Sequence, residues 1–391
     1  MEFGVFNGVF VPAFLEDPDA EHKRIMHETR IILRADELGF KYHWAAEHHF
    51  LTEYSHLSDN PSWLGYLAGK TSYIHLGSGI FNVSPPVNAP ARIAERVAML
   101  DHLSEGRFEF GAGRGSSSRE LGGFGIDDMA ITKEMFDEVM PEFKKMWRQG
   151  SYSFDGQFFS MPPRNVLPKP YSKPHPPMWV ACGSPSTFEK AGRLGLGALA
   201  FSLGEPSTLA PYVETYKRAI QDAEPVGAYV NDNISLVTTG ICLKDGDKAR
   251  DYASNMGYGY FASVIMHCLD NIPFGDSPRW PTILPDPTPE DLKEVSSLVA
   301  GNPDEFAAKC KKYEEAGADQ LLFGTNFLLP DEVWYEHLET MAEEVIPRFD
   351  EDRVHRTTAQ RRSAWEKLKD TYVQERAEEP CSKTHISFRS G

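Results

Sequence analysis

The sequence predicts an α/β fold: a (β/α)8 TIM barrel with an insertion after its seventh strand and a helical C-terminal extension. Three observations predict it. Short apolar, strand-like runs alternate with amphipathic helical windows along the chain, and counting the pairs gives eight. The strand-like runs are mostly apolar, as expected of a parallel sheet buried on both faces. The barrel is expected over residues 1–348, with the insertion at about 245–300, and the extension over 349–391.

The first strand-like run is Phe3 to Phe10. Asp17 as N-cap and Pro18 at the first helical position open a helix with Ile25, Ile32 and Leu38 on one face and Gly39 as its stop. Strand-like Tyr42 to Glu47, a helix near Ser62 to Lys70 and strand-like Ile74 to Val83 follow. Pro90 opens a helix carrying Ile93, Val97 and Leu100 at i, i+4 and i+7. Arg107 to Gly111 is the fourth strand, and a helix runs from about Lys133 to Gln149. The stretch "GSYSFDGQFFSMPPRNVLPKP" reads as a small β-excursion. Met178 to Cys182, Ala198 to Phe201 and Ile234 to Leu243 begin the fifth, sixth and seventh units. Asn302-Pro303-Asp304-Glu305 forms a capping box with proline at the first helical position, and Gly317 stops that helix before strand-like Gln320 to Phe323. Trp334, Leu338, Met341 and Val345 lie at helical spacing in the closing helix. The insertion is too long for one helix and holds Tyr258, Tyr260, Phe261 and Trp280, whereas residues after about 350 read as one polar helix and a loose tail.

Composition excludes several classes. A net charge of −17 repels a phosphodiester backbone, so no nucleic-acid partner is expected. No apolar run reaches the length of a membrane span, and the N-terminus lacks the basic start of a signal peptide. The cysteines (Cys182, Cys242, Cys268, Cys310, Cys381) are odd in number and widely spaced, which suits reduced thiols in the cytoplasm.

In a barrel, chemistry sits at the C-terminal ends of the strands, where Glu47-His48-His49 ends the second strand. Adjacent histidines in a strand point to opposite sides, and no H-x-H occurs, so no metal site is expected. There is no G-x-S-x-G, no P-loop and no G-x-G-x-x-G after the first strand. Two glycine-rich landmarks remain. In "LDHLSEGRFEFGAGRG", Gly111, Gly113 and Gly115 let backbone approach a ligand, and Arg114 stands ready for an anion. In "WVACGSPST", Gly183, Ser184 and Ser186 open a helix directly after a strand, either as a phosphate site or as a simple N-cap.

In this order, Glu47-His48-His49-Phe50, "ARIAERVAMLDHLSEGRFEFGAGRG", "PKPYSKPHPPMWVACGSPST" and "GNPDEFAAKCKKYEEAGADQLLFG" resemble the bacterial luciferase-like flavin monooxygenase family over roughly residues 1–348. The resemblance implies a barrel that uses reduced FMN, supplied by a separate NAD(P)H:flavin reductase, to activate O2 as a flavin C4a-peroxide. The product would be an oxygenated small, apolar or aromatic molecule. His48 matches the family's histidine at the reactive flavin edge; an imidazole titrates near neutrality and can move a proton there. Glu47 would orient an imidazole or make a barrel salt bridge, and His49 a structural hydrogen bond. Ser78, Gly79 and Ile80 match backbone against the ring system, Arg114 matches the arginine of the "GRG" motif, and Gly183, Ser184 and Ser186 match the phosphate side. Lys133 stands where the family more often has arginine. Phe6, Trp44, Phe50, Tyr54 and Phe81 near strand ends, with Tyr258 in the insertion, suggest an apolar or aromatic substrate pocket, with packing between barrel and helices as the alternative for each. The insertion is expected to form a lid over the flavin and to hold part of the substrate pocket, with an oligomer contact as the alternative. Within the same superfamily the deazaflavin F420 is the alternative cofactor, for hydride transfer without oxygen, and a silent flavin-binding protein is a further alternative. A homo-oligomer, dimer or tetramer, is expected. Two departures stand out: Gly113 replaces the cysteine of luciferase α subunits, which implies more room over the flavin, and Ala89-Pro90 replaces His-Pro. Light emission and a long-chain aldehyde are not implied.

Overall fold

The computed structural model describes residues 1–202, 204–269, 283–294, 298–325 and 327–374. Trp280 and Cys381 lie outside the described residues, as does the tail after residue 374. The elements in chain order begin with β1 (Glu2–Asn7), α1 (Ala20–Glu37), β2 (Tyr42–Ala45), α2 (Asn60–Ala68), β3 (His75–Ser78) and β4 (Phe81–Asn82). There follow α3 (Pro90–Leu103), β5 (Phe108–Gly113), α4 (Ser118–Gly123), α5 (Thr132–Arg148), a hairpin of β6 (Tyr152–Asp155) and β7 (Ser160–Arg164), then β8 (Met178–Ala181) and α6 (Pro185–Arg193). The chain continues through β9 (Gly197–Phe201), α7 (Ala210–Ala219), β10 (Ile234–Cys242), α8 (Gly246–Ser254), α9 (Tyr258–Cys268) and α10 (Asp291–Glu294). It ends with β11 (Leu298–Gly301), α11 (Pro303–Glu315), β12 (Gln320–Gly324), α12 (Asp331–Thr340) and α13 (Arg356–Leu368).

Strands β1, β2, β3, β5, β8, β9, β10 and β12 pair in parallel, and the β9–β10 pairing closes them into an eight-stranded barrel. No helix among the described residues is long and apolar enough to cross a membrane. The capping box at Asn302 and Glu305 is present, and Gly317 takes φ +95° at the end of α11. The first helix departs from expectation. It starts at Ala20, because the Asp17 carboxylate accepts from the Asp19 N–H and makes a turn there instead of a cap. The third strand also differs. It breaks after Ser78 and resumes as β4, so the expected continuous alternation does not hold across the break. β11 was not expected: β10 runs on past its barrel partners, and Thr239–Cys242 pair with it outside the ring.

Two indoles fill the barrel interior. Trp44 lies over its cross-strand partner Gly77, and Trp179 over its partner Gly197; a Cβ on either glycine would stand 2.3 Å from the indole. Those two glycines make the space that the two largest side chains of the interior occupy. The rings meet edge to face with centroids 5.2 Å apart.

The two ends of the barrel are closed differently. At the N-terminal end α13 lies across the opening, and the Arg356 N–H donates to Glu2 at the start of β1. The helix is polar as expected, but Thr357 and Thr358 are buried against polar groups of the barrel, while Arg362, Ser363 and Glu366 face solvent. At the C-terminal end α9 packs Phe261 against Phe10, Tyr54 and Phe327.

Candidate active site

A cavity of about 470 Å³ opens at the C-terminal end of the barrel. Phe6, Trp44, Leu199, Val237 and Leu322 form its apolar floor and wall, and Ile80 and Leu269 also line it. His48, His49, Glu47, Glu120, Tyr54 and Arg114 supply its polar groups.

β2 ends at Ala45, so strand alternation has lapsed by the time the chain reaches the two histidines. Both therefore line the cavity, contrary to the expectation of opposite sides. They pair with different carboxylates. His48 Nδ1 lies 3.1 Å from Glu120 Oε1, and the His49 backbone N–H donates to the same oxygen at 2.8 Å. His49 Nε2 lies 3.2 Å from Glu47 Oε1, which also accepts from the Asn88 amide at 3.1 Å. Of the two roles expected of Glu47 it has the first, orienting an imidazole, but that of His49 rather than of His48, and His49 has a structural hydrogen bond. The residue that meets His48 is Glu120, which the sequence did not reveal. It sits on the six-residue α4, opened by Ser117, whose hydroxyl accepts from the Arg119 N–H. The signal that could have found it is that cap within the Gly- and Ser-rich segment, followed three residues later by Glu120.

A carboxylate accepts, so the Glu120 contact suits a proton on His48 Nδ1 and turns the other ring nitrogen, Nε2, away from that partner. Nε2 has no protein partner among the described residues, and the ring is 16% exposed beside the Tyr54 ring at 4.9 Å. Burial raises the Tyr54 phenol well above its ordinary range, with the Glu120 charge adding to the effect, so it stays protonated.

The expected anion side is partly assembled. Arg114 donates to the Thr132 hydroxyl at 2.9 Å, and burial lowers its guanidinium somewhat while Asp137 opposes that shift. The N–H groups of Gly183 and Ser184 donate to the Thr187 hydroxyl at 3.1 and 3.0 Å, so an N-cap is part of what this segment does. Ser184 and Ser186 bring their hydroxyls to 3.1 Å from each other, with Ser186 exposed. Lys133 is exposed and does not line the cavity. Gly79, Ile80, Gly113, Gly183 and Ser184 line it. Ser78 does not: its hydroxyl bonds the Gly111 carbonyl and N–H at 2.9 and 3.0 Å and stitches β3 to β5. The extra room expected at Gly113 is absent, because a Cβ there would stand 2.6 Å from the Ile80 side chain.

Of the expected pocket aromatics, Phe6, Trp44 and Tyr54 line the cavity, and three do not. Phe81 follows the strand break and points outward, against Phe108 and Phe110. Phe50 is 61% exposed in a left-handed conformation (φ +61°) and packs on Phe124. Tyr258 faces Phe327.

Comparison with known proteins agrees with this fold. A family model described as luciferase-like monooxygenase matches residues 1–320. The oxygenase component of the flavin-dependent trigonelline monooxygenase of Acinetobacter baylyi is 28% identical over 339 residues, which is 83% of this chain and 90% of that protein. Two solved structures share the fold. The oxygenating constituent of 3,6-diketocamphane monooxygenase from Pseudomonas putida, in complex with FMN, has TM-score 0.73 at 17% identity, covering 89% of this chain and 98% of that one. The coenzyme F420-dependent tetrahydromethanopterin reductase of Methanopyrus kandleri has TM-score 0.63 at 20% identity, covering 89% and 99%. A match over residues 1–320, from β1 to the start of β12 and including both histidines, shows that the chain belongs to the luciferase-like monooxygenase family of enzymes.

Proposed function

We propose that this enzyme is an FMN-dependent monooxygenase that accepts reduced FMN from a separate reductase and oxygenates a small apolar or aromatic molecule. The observation that carries this reading is His48, held at Nδ1 by Glu120 with Nε2 free at the cavity. The donor set suits the cofactor: an apolar slot at Ile80, Leu199 and Val237 for a ring system, with Arg114 and the Ser184 hydroxyl for a phosphate. Bound reduced FMN would supply two electrons and two protons, so that one atom of O2 enters the substrate and the other leaves as water. His48 holds or releases a proton at Nε2, and Glu120 keeps that nitrogen oriented. Tyr54 offers a protonated phenol beside the imidazole. α9 acts as part of a lid that excludes water, since Leu269 just beyond it lines the cavity and Phe261 packs on Tyr54. The name of the Acinetobacter relative, an oxygenase component, supports a separate reductase. The flavin and the electron source are tested together by anaerobic titration with reduced FMN, oxidised FMN and F420, followed by admission of O2. Preferential stabilisation by reduced FMN and O2 uptake support the reading. Stabilisation by F420 alone, with no O2 uptake, replaces it with hydride transfer.

A further inference from the structure

The C-terminal helix α13 lies at the far end of the barrel from the cavity, yet a line of contacts joins the two. The Thr357 hydroxyl, fully buried, donates to Glu109 Oε1 at 2.5 Å. Glu109 Oε2 accepts from Trp179 Nε1 at 2.7 Å. The Trp179 ring meets Trp44 edge to face, and Trp44 forms the cavity floor. Each link differs in kind. Glu109 is anchored on both oxygens and Trp179 by its N–H, whereas Trp44 Nε1 has no hydrogen-bond partner among the described residues. The position of Trp44 is therefore set by packing, and the ring it packs on is the anchored one.

We infer that the C-terminal extension is a positioning element of the active site: through Thr357, Glu109 and Trp179 it fixes the Trp44 indole, and with it the depth of the cavity.

The surroundings of Glu109 support a fixed, uncharged junction. Burial pushes its carboxyl up to about 8, against the opposing hydrogen bonds from Thr357 and Trp179, so it carries a proton at neutral pH. His75 Nδ1 lies 2.8 Å from Glu109 Oε1, and burial depresses that imidazole well below its usual value, so the pair is neutral. α13 closes this group from below. Thr358 Oγ1 lies 3.3 Å from His75 Nε2, and His355, just before the helix, stacks on His75 at 3.8 Å. His355 Nε2 lies 3.0 Å from the Lys41 carbonyl, and Tyr42, whose hydroxyl donates to Glu2 at 2.8 Å, also reaches Thr357 at 3.3 Å. A neutral network with its members satisfied holds one geometry, because moving any member leaves a buried polar group without a partner.

The relay is a property of the protein without flavin; only its consequence for catalysis rests on the function proposed above. It is tested on the full chain labelled with 5-fluorotryptophan, with the Trp44 and Trp179 signals assigned by Trp44→Phe and Trp179→Phe. Thr357→Val keeps the side-chain shape but removes the hydroxyl, and is expected to shift both fluorine signals; Thr357→Ser is expected to restore both. In the Trp179→Phe background, Thr357→Val should no longer move Trp44. A Trp44 signal that ignores Thr357→Val while Trp179 responds, or one that still responds after Trp179 is replaced, overturns the relay. Trp179→Phe alone gives an independent reading should the Thr357→Val substitution prevent folding: the Trp44 signal must move, and a signal indifferent to it also overturns the inference.

Discussion

The two ends of the barrel hold similar residue types and use them in opposite ways. At the N-terminal end Lys41 bridges Glu2 at 2.7 Å and Asp350 at 2.8 Å, and Glu109 meets Thr357, His75 and Trp179. At the C-terminal end the carboxylate–imidazole pair His48–Glu120 is also held, but it leaves one nitrogen facing a cavity. That contrast shows where binding and chemistry can happen. A fully satisfied buried group has nothing left to offer a ligand, while a group satisfied on one side and open on the other can exchange a proton. The same distinction separates the stabilising face from the catalytic face of a (β/α)8 barrel.

Disrupting the open end should have the largest effect. His48→Ala is expected to lower product formed per reduced FMN oxidised by ~10²–10⁴-fold, the usual worth of a positioned acid or base, while the thermal midpoint barely moves. Coupled product and peroxide assays check it. Disrupting the closed end should do the reverse. Glu109→Leu orphans the Trp179 N–H and removes the carboxyl that accepts from the Thr357 hydroxyl, and is expected to cost about 1–3 kcal/mol of stability in denaturant unfolding. Glu109→Gln, a neutral isostere of a carboxyl that already carries its proton, should cost much less.

Acid should widen the contrast across the whole chain. Burial lowers His27 and His175 to about 4 and His43 and His337 to about 3, so these imidazoles are neutral when folded. Their folded values lie below the unfolded value, and the unfolded chain binds more protons below about pH 6.5. Their contribution to stability is present above that pH and is lost as pH falls toward 4 and 3. Glu109 works in the opposite sense: its raised value gives stability that is present at low pH and is lost as pH rises through about 8, a slope that Glu109→Gln should remove. Thermal midpoints between pH 4 and 9 for wild type and Glu109→Gln separate the two. The cavity wall gives a further reading of stability. Gly113→Ala should press on Ile80 and cost about 1–3 kcal/mol by overpacking, with recovery in the Ile80→Val background.

The barrel was legible because its strands and helices repeat an apolar rhythm that no other segment imitates, and because caps such as Asn302-Pro303 and stops such as Gly317 mark the joints. His48 was legible by its place at a strand's end. What escaped had no periodic signal. Glu120 sits on a helix of less than two turns inside a Gly- and Ser-rich segment, and its partner is 72 residues away in sequence. Phe81 was misplaced because the break between β3 and β4 resets which way side chains point. α13 read only as a polar helix, because polar residues that pair with buried polar groups look the same, in sequence, as polar residues facing water.

The chemistry proposed for the cavity depends on Glu120 fixing the His48 tautomer and leaving Nε2 open to the cofactor. Histidine-selective 15N NMR, assigned with His48→Gln and recorded anaerobically with and without reduced FMN, decides this. The expected result is a His48 ring with its proton on Nδ1, lost in Glu120→Ala, and an Nε2 signal that moves when reduced FMN is added while Nδ1 stays. A proton on Nε2, or His48 signals indifferent to reduced FMN at saturation, would contradict it.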